Sequence, residues 1–277
     1  MKLIKKIINF LLTYIIRPVI YRSFVLRWET FKRPPYFFIY YGYKVYYRQK
    51  DGLVYHVGSM GSFESDVINF CVKNIPENAT VVDVGANIGL ITLPLARKIN
   101  GTTFHCFEPS PYPHQYFKMT IVENKLIDRI RLNKMGLYDK TGHLNFYIHQ
   151  LKDASGDGIK DTGRAGKAKK ISINVITLDK YVKDNKIKKV DFIKADVEGS
   201  ETHVFKGGIK TIRKYKPQIV FEAWPKNLDA YNLSVDNVYD FFKSINYSIY
   251  TLNMKKLNRS EFLKETQIQG NYTALHV

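Results

Sequence analysis

An acid and two glycines stand close together directly after an apolar run. The run Val81–Val84 contains Asp83 and leads into a loop that holds Gly85 and Gly89. β-Branched residues followed by a glycine loop and an amphipathic segment predict a buried parallel strand, a tight turn and a helix from Leu90. Because glycine has no Cβ, we expect Gly85 to let backbone N–H groups approach a ligand.

A second acid follows the next predicted strand. The apolar run Thr103–Phe107 ends at Glu108, and a carboxylate at that place can accept hydrogen bonds from both hydroxyls of a ribose. A dinucleotide-binding turn would need another glycine where Asn87 stands, and Asp83 would repel a pyrophosphate. An acid and an amide without a phosphate cradle favour S-adenosylmethionine as the cofactor. The alternative is an ordinary strand–turn–helix unit with incidental glycines.

Two further predicted strands end in acids. Asp196 and Glu198 follow the apolar run Val190–Ala195, and Glu222 follows the run Gln218–Phe221. Ligands of open parallel sheets lie beyond the carboxyl ends of the strands, so we expect these carboxylates to face an acceptor. Transfer of a methyl group to a hydroxyl needs a base close to that hydroxyl. We predict Asp196 as base or anchor, Glu198 as its partner and Glu222 as a contact to the acceptor.

Other groups offer alternatives for this step. Lys194 and His203 are the alternative bases. Asp196 and Glu198 together could instead hold a divalent metal ion that acidifies the hydroxyl. Two carboxylates so close in sequence are thin evidence for a metal, and the metal is not favoured. The plainer interpretation of Glu198-Gly199 is a turn that starts a helix, and both roles can coexist.

Five segments of the chain occur in an order that is typical of one enzyme family. They are Asp83-Val-Gly-Ala-Asn-Ile-Gly89, Phe107-Glu-Pro-Ser110, Thr177-Leu-Asp179, Lys194-Ala-Asp-Val-Glu-Gly-Ser-Glu201 and Lys216-Pro-Gln-Ile-Val-Phe-Glu222. Together they resemble the FkbM-type methyltransferases, a family of S-adenosylmethionine-dependent O-methyltransferases. The likeness covers about Gly52 to Val277. Ala195 departs from it, because the family more often has a larger aliphatic residue there.

The resemblance implies an α/β protein with the class I methyltransferase Rossmann-like fold. This fold has a mostly parallel seven-stranded sheet, helices on both faces and an antiparallel C-terminal strand. The cofactor-binding residues that we predict are Glu64, Asp83, Gly85, Ala86, Asn87, Gly89, Glu108, Ser110, Leu137 and Asp196. Glu64 is expected at the methionine end of the cofactor and Leu137 near the adenine. The alternative for Glu64 is an acid in a capping turn, with Ser62 or Ser65 as the cap of the next helix.

Several other segments have predicted structures. Residues 143–149 alternate as a strand whose two histidines we expect at the surface. Residues 151–170 are rich in glycine and basic residues, which predicts a substrate lid or a disordered loop. The aromatic residues between 21 and 47 predict a pair of strands over a sheet edge, with a membrane belt, sugar stacking or nucleic-acid binding as alternatives. Residues 247–252 and 271–277 are expected to form a closing antiparallel hairpin at the far end of the sheet.

Length and cysteine usage indicate one catalytic domain. A chain of 277 residues can bury a full core. We predict a basic N-terminal appendage over residues 1–50 and a methyltransferase domain over residues 51–277. Cys71 and Cys106 lack metal-binding spacing, and we expect both to be buried and reduced in a cytosolic protein.

Residues 1–20 have a character of their own. Basic and polar residues project onto one side of a helical wheel and apolar residues fill the rest. The apolar span Ile7–Ile16 is too short to cross a bilayer, which needs about 20 residues. Arg17-Pro18 follows it where a secretory signal would have small residues. We predict a helix in the membrane interface; the alternative is a helix that docks on its own domain or on a sister protomer.

The net charge of +18 favours an anionic surface or substrate. We predict a cytoplasmic, membrane-peripheral enzyme that methylates a hydroxyl, with a sugar in a glycan or glycolipid as the acceptor and a lipid-linked glycan preferred. One alternative is an RNA 2′-O-methyltransferase. The other is a non-catalytic membrane-surface binding module on a Rossmann-like fold, against which the intact Asp83, Gly85, Gly89 and Glu108 argue.

Overall fold

The computed structural model describes residues 34–149, 156–163, 167–268 and 270–277. The strands in these ranges are β1 Tyr36–Tyr40, β2 Tyr43–Tyr47, β3 Thr80–Val84, β4 Thr103–Phe107, β5 Ile130–Asn133, β6 Gly136–Leu137, β7 Gly142–His149, β8 Ala168–Ile176, β9 Phe192–Ala195, β10 Gln218–Glu222, β11 Tyr247–Thr251, β12 Lys256–Leu257 and β13 Asn271–His276. The helices are α1 Gly52–Met60, α2 Ser65–Asn74, α3 Thr92–Lys98, α4 Pro111–Glu123, α5 Leu178–Asp184, α6 Glu201–Gly207, α7 Ile209–Tyr215, α8 Pro225–Asp229, α9 Val235–Ser244 and α10 Arg259–Glu265. None of these helices is long and apolar enough to cross a membrane. The predicted interfacial helix over residues 1–20 lies outside the described residues.

Eight of the described strands form the central sheet, in the order β12-β11-β13-β10-β9-β3-β4-β5. Within this sheet, the five neighbouring strands β10, β9, β3, β4 and β5 pair in parallel. β13 runs antiparallel between β10 and β11. Apart from the two-residue edge strand β12, this is the seven-stranded order of the class I methyltransferase fold. The predicted fold class is confirmed.

The predicted antiparallel pair at the far end of the sheet is found, but it is not a hairpin. β11 and β13 pair antiparallel next to the edge strand β12, and β12 and α10 lie between them in the chain. The reason is a stable helix within the linker. The Asn258 side chain caps α10 by accepting the Glu261 N–H, and Phe262 is fully buried.

The parallel strands are buried on both faces because helices cover both faces. Along β3, Val81 belongs to the apolar cluster under α2, α3 and α4. Val82 and Val84 belong to the cluster under α5, α6, α7 and α9. Cys71 and Cys106 are free and buried in the first cluster, as predicted. This arrangement leaves the carboxyl ends of the strands as the edge where a ligand can enter.

The aromatic segment forms the predicted pair of strands, but not over a sheet edge. Among the described strands, β1 and β2 pair only with each other, and β2 lies along α4. The Tyr46 N–H donates to Thr120 Oγ1 at 3.0 Å, and the Lys44 N–H donates to Asn124 Oδ1 at 3.0 Å. The buried side chains of the hairpin join the same core cluster as β3. The boundary at residue 50 between appendage and domain stays a prediction.

A small sheet in the order β6-β8-β7 stands beside the central one. It contains the strand predicted over residues 143–149. His143 is exposed, as expected, but His149 is only 1% exposed, so the prediction for His149 is wrong. The reason is that the following loop folds back, and the Asp157 carboxylate accepts the His149 backbone N–H at 2.8 Å.

Candidate functional site

A cavity of about 240 Å³ lies at the carboxyl ends of β3, β4, β9 and β10. The strand order reverses between β3 and β9, which is where ligands bind in open α/β sheets. The predicted site residues that line it are Glu64, Gly85, Ala86, Asn87, Glu108, Leu137, Asp196, Glu198 and Glu222. Three predicted residues, Asp83, Gly89 and Ser110, are buried or packed behind these walls. The structure therefore brings together most of the residues that sequence reasoning selected.

The two loop glycines have a reason that the sequence did not suggest. Gly85 has a φ of +80°, and a Cβ on it would lie 1.9 Å from the Asp196 carbonyl oxygen. A Cβ on Gly89 would lie 2.3 Å from the Phe117 ring. Both glycines let protein segments touch each other. Gly85 also lines the cavity, and the approach of a ligand to its backbone stays a prediction. The close contact holds the loop after β3 against the loop after β9.

Glu108 lies at the cavity wall with its carboxylate fixed by backbone groups. Its Oε2 accepts the Asn87 N–H and its Oε1 accepts the Ser110 N–H, each at 2.8 Å. Burial raises the pKa of Glu108 to about 7, against these two hydrogen bonds, which lower it. Each carboxylate oxygen can accept a further hydrogen bond. A hydrogen-bond acceptor of fixed orientation, the Glu108 carboxylate, thus lies where we predicted contact with a ribose diol.

Asp83 lies below the cavity, in an ion-pair network centred on Lys194. The Lys194 Nζ is 3.5 Å from Asp83 and 3.4 Å from Asp196, and it donates to the Gly85 carbonyl oxygen at 3.3 Å. Burial alone would lower the pKa of Lys194, but Asp83, Asp196 and Glu64 outweigh it and raise that pKa. Lys194 is therefore a fixed cation, and it is a poor base.

Glu64 lines the cavity and does not cap a helix through its side chain. It is the N-cap residue of α2, with φ of 39°, but its side chain makes no capping hydrogen bond. The predicted caps Ser62 and Ser65 are wrong for this helix. Burial, and then the nearby Asp196, raise the pKa of Glu64 to about 7.

Sequence reasoning missed Asn227, which joins two of the predicted catalytic acids. Asn227 is fully buried in the short helix α8. Its amide nitrogen donates to Glu198 Oε2 at 2.9 Å and to Glu222 Oε2 at 3.1 Å. Burial, followed by the charges of Asp196 and Glu198, raises the pKa of Glu222 well above its ordinary value. An asparagine in a short helix just after a strand end was the available signal.

The Glu198-Gly199 turn starts a helix, as the plainer interpretation predicts, and the catalytic role of Glu198 stays a prediction. The Glu201 carboxylate accepts the Val197 N–H at 2.8 Å and the Gly199 N–H at 3.4 Å, and α6 begins at Glu201. Glu198, at the same turn, lines the cavity. Among the described residues, no three or more His, Cys, Asp or Glu side chains form a group suited to a metal ion.

The loop predicted over residues 151–170 supplies a second missed residue, Asp157. Its Oδ2 accepts the Ser110 hydroxyl at 2.7 Å, and Asp157 itself lines the cavity. Backbone hydrogen bonds between Gly158 and Tyr147, at 2.8 and 3.2 Å, hold this part of the loop on the small sheet. Ser110 thus acts by orienting Asp157. The glycine-rich composition indicated a loop but could not place its acid.

His203 and Trp224 do not line the cavity. The His203 Nδ1 lies 2.7 Å from Asp139, and its ring stacks on Tyr138. The Trp224 indole packs over Gly270, where a Cβ would lie 2.2 Å from its Nε1. His203 is therefore not placed to act as the base, and Trp224 is a packing residue of the sheet edge.

Comparison with known proteins gives a consistent result. A model of the Methyltransferase FkbM domain matches residues 83–249. The methyltransferase sdnD of Sordaria araneosa is 27% identical, over 55% of this chain and 69% of that protein. The hexuronic acid methyltransferase AglP of Haloferax volcanii is 26% identical, over 52% of this chain and 56% of that protein.

A third relative is the 31-O-demethyl-FK506 methyltransferase FkbM of Streptomyces tacrolimicus. It is 26% identical, over 46% of this chain and 58% of that protein. The match to these curated relatives thus spans between about half and two thirds of their own length.

Proposed function

The chain belongs to the FkbM methyltransferase family, and we propose that it transfers a methyl group from S-adenosylmethionine to a hydroxyl of a sugar. The observation that carries the proposal is Glu108, a buried carboxylate held by two backbone N–H groups at the wall of the cavity. A relative named for a hexuronic acid supports a sugar as the acceptor, and a relative named for a 31-O-demethyl substrate supports transfer to an oxygen. The RNA alternative is not favoured, because the ionisable side chains that line the cavity are six carboxyl groups and one lysine, and carboxylates repel phosphates.

The residues of the cavity fit the cofactor. Free lone pairs of Glu108 suit a ribose diol, and Leu137, Phe146 and Ile173 provide an apolar wall for an adenine. Glu64 remains our candidate for the methionine end. When bound, S-adenosylmethionine supplies an electrophilic methyl group. The protein must then position the acceptor hydroxyl and remove its proton.

Glu222 is the carboxylate best suited to take that proton. Asp196 lies 3.4 Å from the Lys194 ammonium, so its carboxylate is already engaged in an ion pair. Burial and the neighbouring carboxylates raise the pKa of Glu222, which increases its affinity for a proton. We propose Glu222 as the base, Asp196 as the anchor of the acceptor and Glu198 as the partner that Asn227 ties to Glu222.

Calorimetric titration with S-adenosylhomocysteine tests the cofactor site. We expect binding by the wild type and binding at least about tenfold weaker in Glu108→Gln, because an amide has one acceptor oxygen instead of two. Glu77→Gln, an exposed acid ahead of β3, is the control and should bind like the wild type. No binding by the wild type would reject the cofactor. Equal binding by Glu108→Gln would reject the role of Glu108.

We also propose that the acceptor is a lipid-linked glycan met at the cytoplasmic face of a membrane. The support is the basic and apolar pattern of residues 1–20. Flotation of the full chain with vesicles of phosphatidylcholine and phosphatidylserine tests it. Binding that persists unchanged when Lys2, Lys5 and Lys6 are replaced by Glu would contradict the membrane role of this segment.

A further inference from the structure

The ionisable lining of the cavity is almost entirely acidic. Six carboxyl side chains line it, those of Glu64, Glu108, Asp157, Asp196, Glu198 and Glu222. Lys194 is the one lysine among the described lining residues, and no arginine accompanies it. This composition is opposite in sign to the whole chain, which carries 43 basic and 25 acidic residues.

The single ammonium is already paired inside the protein. Its Nζ lies 3.5 Å from Asp83 and 3.4 Å from Asp196, and it donates a hydrogen bond to the Gly85 carbonyl oxygen at 3.3 Å. Two carboxylates thus already face its positive charge. Lys194 is also only 5% exposed. An anionic group in the cavity would therefore meet carboxylates without a cation to compensate its charge.

The acceptor end holds three of the six acids. Asp196, Glu198 and Glu222 stand at the ends of β9 and β10, away from the ribose position at Glu108. The donor between them is the Asn227 amide, and both carboxylates that it contacts already use it. The burial and repulsion that raise the pKa of Glu222 would act in the same way on a carboxylate brought in by an acceptor.

From these contacts we infer that the acceptor is a neutral or amino-bearing sugar, and not a uronic acid or a phosphorylated sugar. The inference rests on the proposed function and names the substrate class of the same site. Hydroxyl and ammonium groups donate hydrogen bonds, which carboxylates accept. The chain would then differ in acceptor from the relative that is named for a hexuronic acid.

Binding of three matched glycosides to the protein saturated with S-adenosylhomocysteine tests the inference. The probes are p-nitrophenyl β-glucoside, β-glucosaminide and β-glucuronide, which differ in one charged group, and ligand-observed NMR titration gives the dissociation constants. We expect the glucoside and the glucosaminide to bind at least about tenfold more tightly than the glucuronide, since like charges at close range are costly. The double variant Glu198→Gln, Glu222→Gln should reduce this difference in dissociation constant between the glucuronide and the other two glycosides. The control Glu77→Gln should leave the difference unchanged.

Each result decides the inference. Tighter or equal binding of the glucuronide would overturn it, and so would the failure of all three glycosides to bind. A difference in dissociation constant that the double variant leaves unchanged would show that these acids do not cause the selection. If S-adenosylhomocysteine itself does not bind, the proposed function fails first, and that result is separate from the choice of acceptor.

Discussion

The cavity and the rest of the molecule carry opposite charge. The chain as a whole has a net charge of +18, whereas the cavity holds six carboxyl groups and one lysine. A net charge acts over a Debye length of about 8 Å or more and governs approach to surfaces. The groups in a site act at contact distance, where burial makes each interaction stronger. The basic composition therefore bears on approach to anionic surfaces, and the acidic lining bears on the charge of a ligand inside the cavity.

Removal of the inner cation should have the largest effect. Lys194→Met would leave the buried Asp83 carboxylate without its cation, and we expect a loss of about 3–5 kcal/mol in the free energy of unfolding. Urea denaturation monitored by circular dichroism measures it. A loss below about 1 kcal/mol would show that the network is hydrated and not buried.

Disruption of the contact between the loops that form the cavity should cause the second-largest loss in the free energy of unfolding. Gly85→Ala places a methyl group against the Asp196 carbonyl oxygen at a positive φ, and we expect on the order of 3 kcal/mol of destabilisation. Gly61→Ala is the matched control, because Gly61 has a φ of +81° with nothing within 4 Å of the added Cβ. It should lose about 1 kcal/mol. Equal losses would mean that only the backbone conformation matters.

Buried acids should also make stability depend on pH. Burial raises the pKa of Glu201 to about 7, so the folded state binds more protons than the unfolded state between about pH 4.5 and 7. Its contribution is favourable below about pH 4.5 and is lost as the pH rises through 7. We expect Glu201→Gln to be more stable than the wild type at pH 8, by on the order of 1–3 kcal/mol, and to show a flatter pH profile in thermal melts. An unchanged profile would contradict this role of Glu201.

The outer surface should give the smallest effect. Lys180 pairs with Asp184 at 2.7 Å, but the two side chains are 51% and 45% exposed. Lys180→Met should change the free energy of unfolding by less than about 0.5 kcal/mol. The same urea denaturation experiment then compares a lysine-to-methionine substitution at a buried position, Lys194, with one at an exposed position, Lys180. A loss as large as that of Lys194→Met would remove the distinction between the inside and the outside.

Local patterns predicted well what depends on neighbours in sequence. The strand Thr103–Phe107 and the acid after it are where the apolar run placed them. The strand ends then located Glu108, Asp196 and Glu222, because parallel strands share one ligand-binding edge.

The remaining site residues depend on contacts that no local pattern contains. Asn227 meets Glu198 across 29 positions of sequence, and Lys194 meets the Gly85 carbonyl oxygen across 109. Asp157 lies in a glycine-rich loop whose path is set by pairing with β7. His149 was expected at the surface because its strand alternates, but it is buried, and the Asp157 carboxylate accepts its backbone N–H. Tertiary packing decided each of these cases.

The close contact of Gly85 with the loop after β9 has a consequence for the thermodynamics of ligand entry. The same turn is held at its other end, because a Cβ on Gly199 would lie 2.4 Å from the Asn227 carbonyl oxygen. The loops after β3, β9 and β10 are thus braced against one another. A ligand meets walls that are already ordered, so little conformational entropy is lost there on association. The favourable enthalpy of its hydrogen bonds is then opposed mainly by the loss of its own freedom of motion.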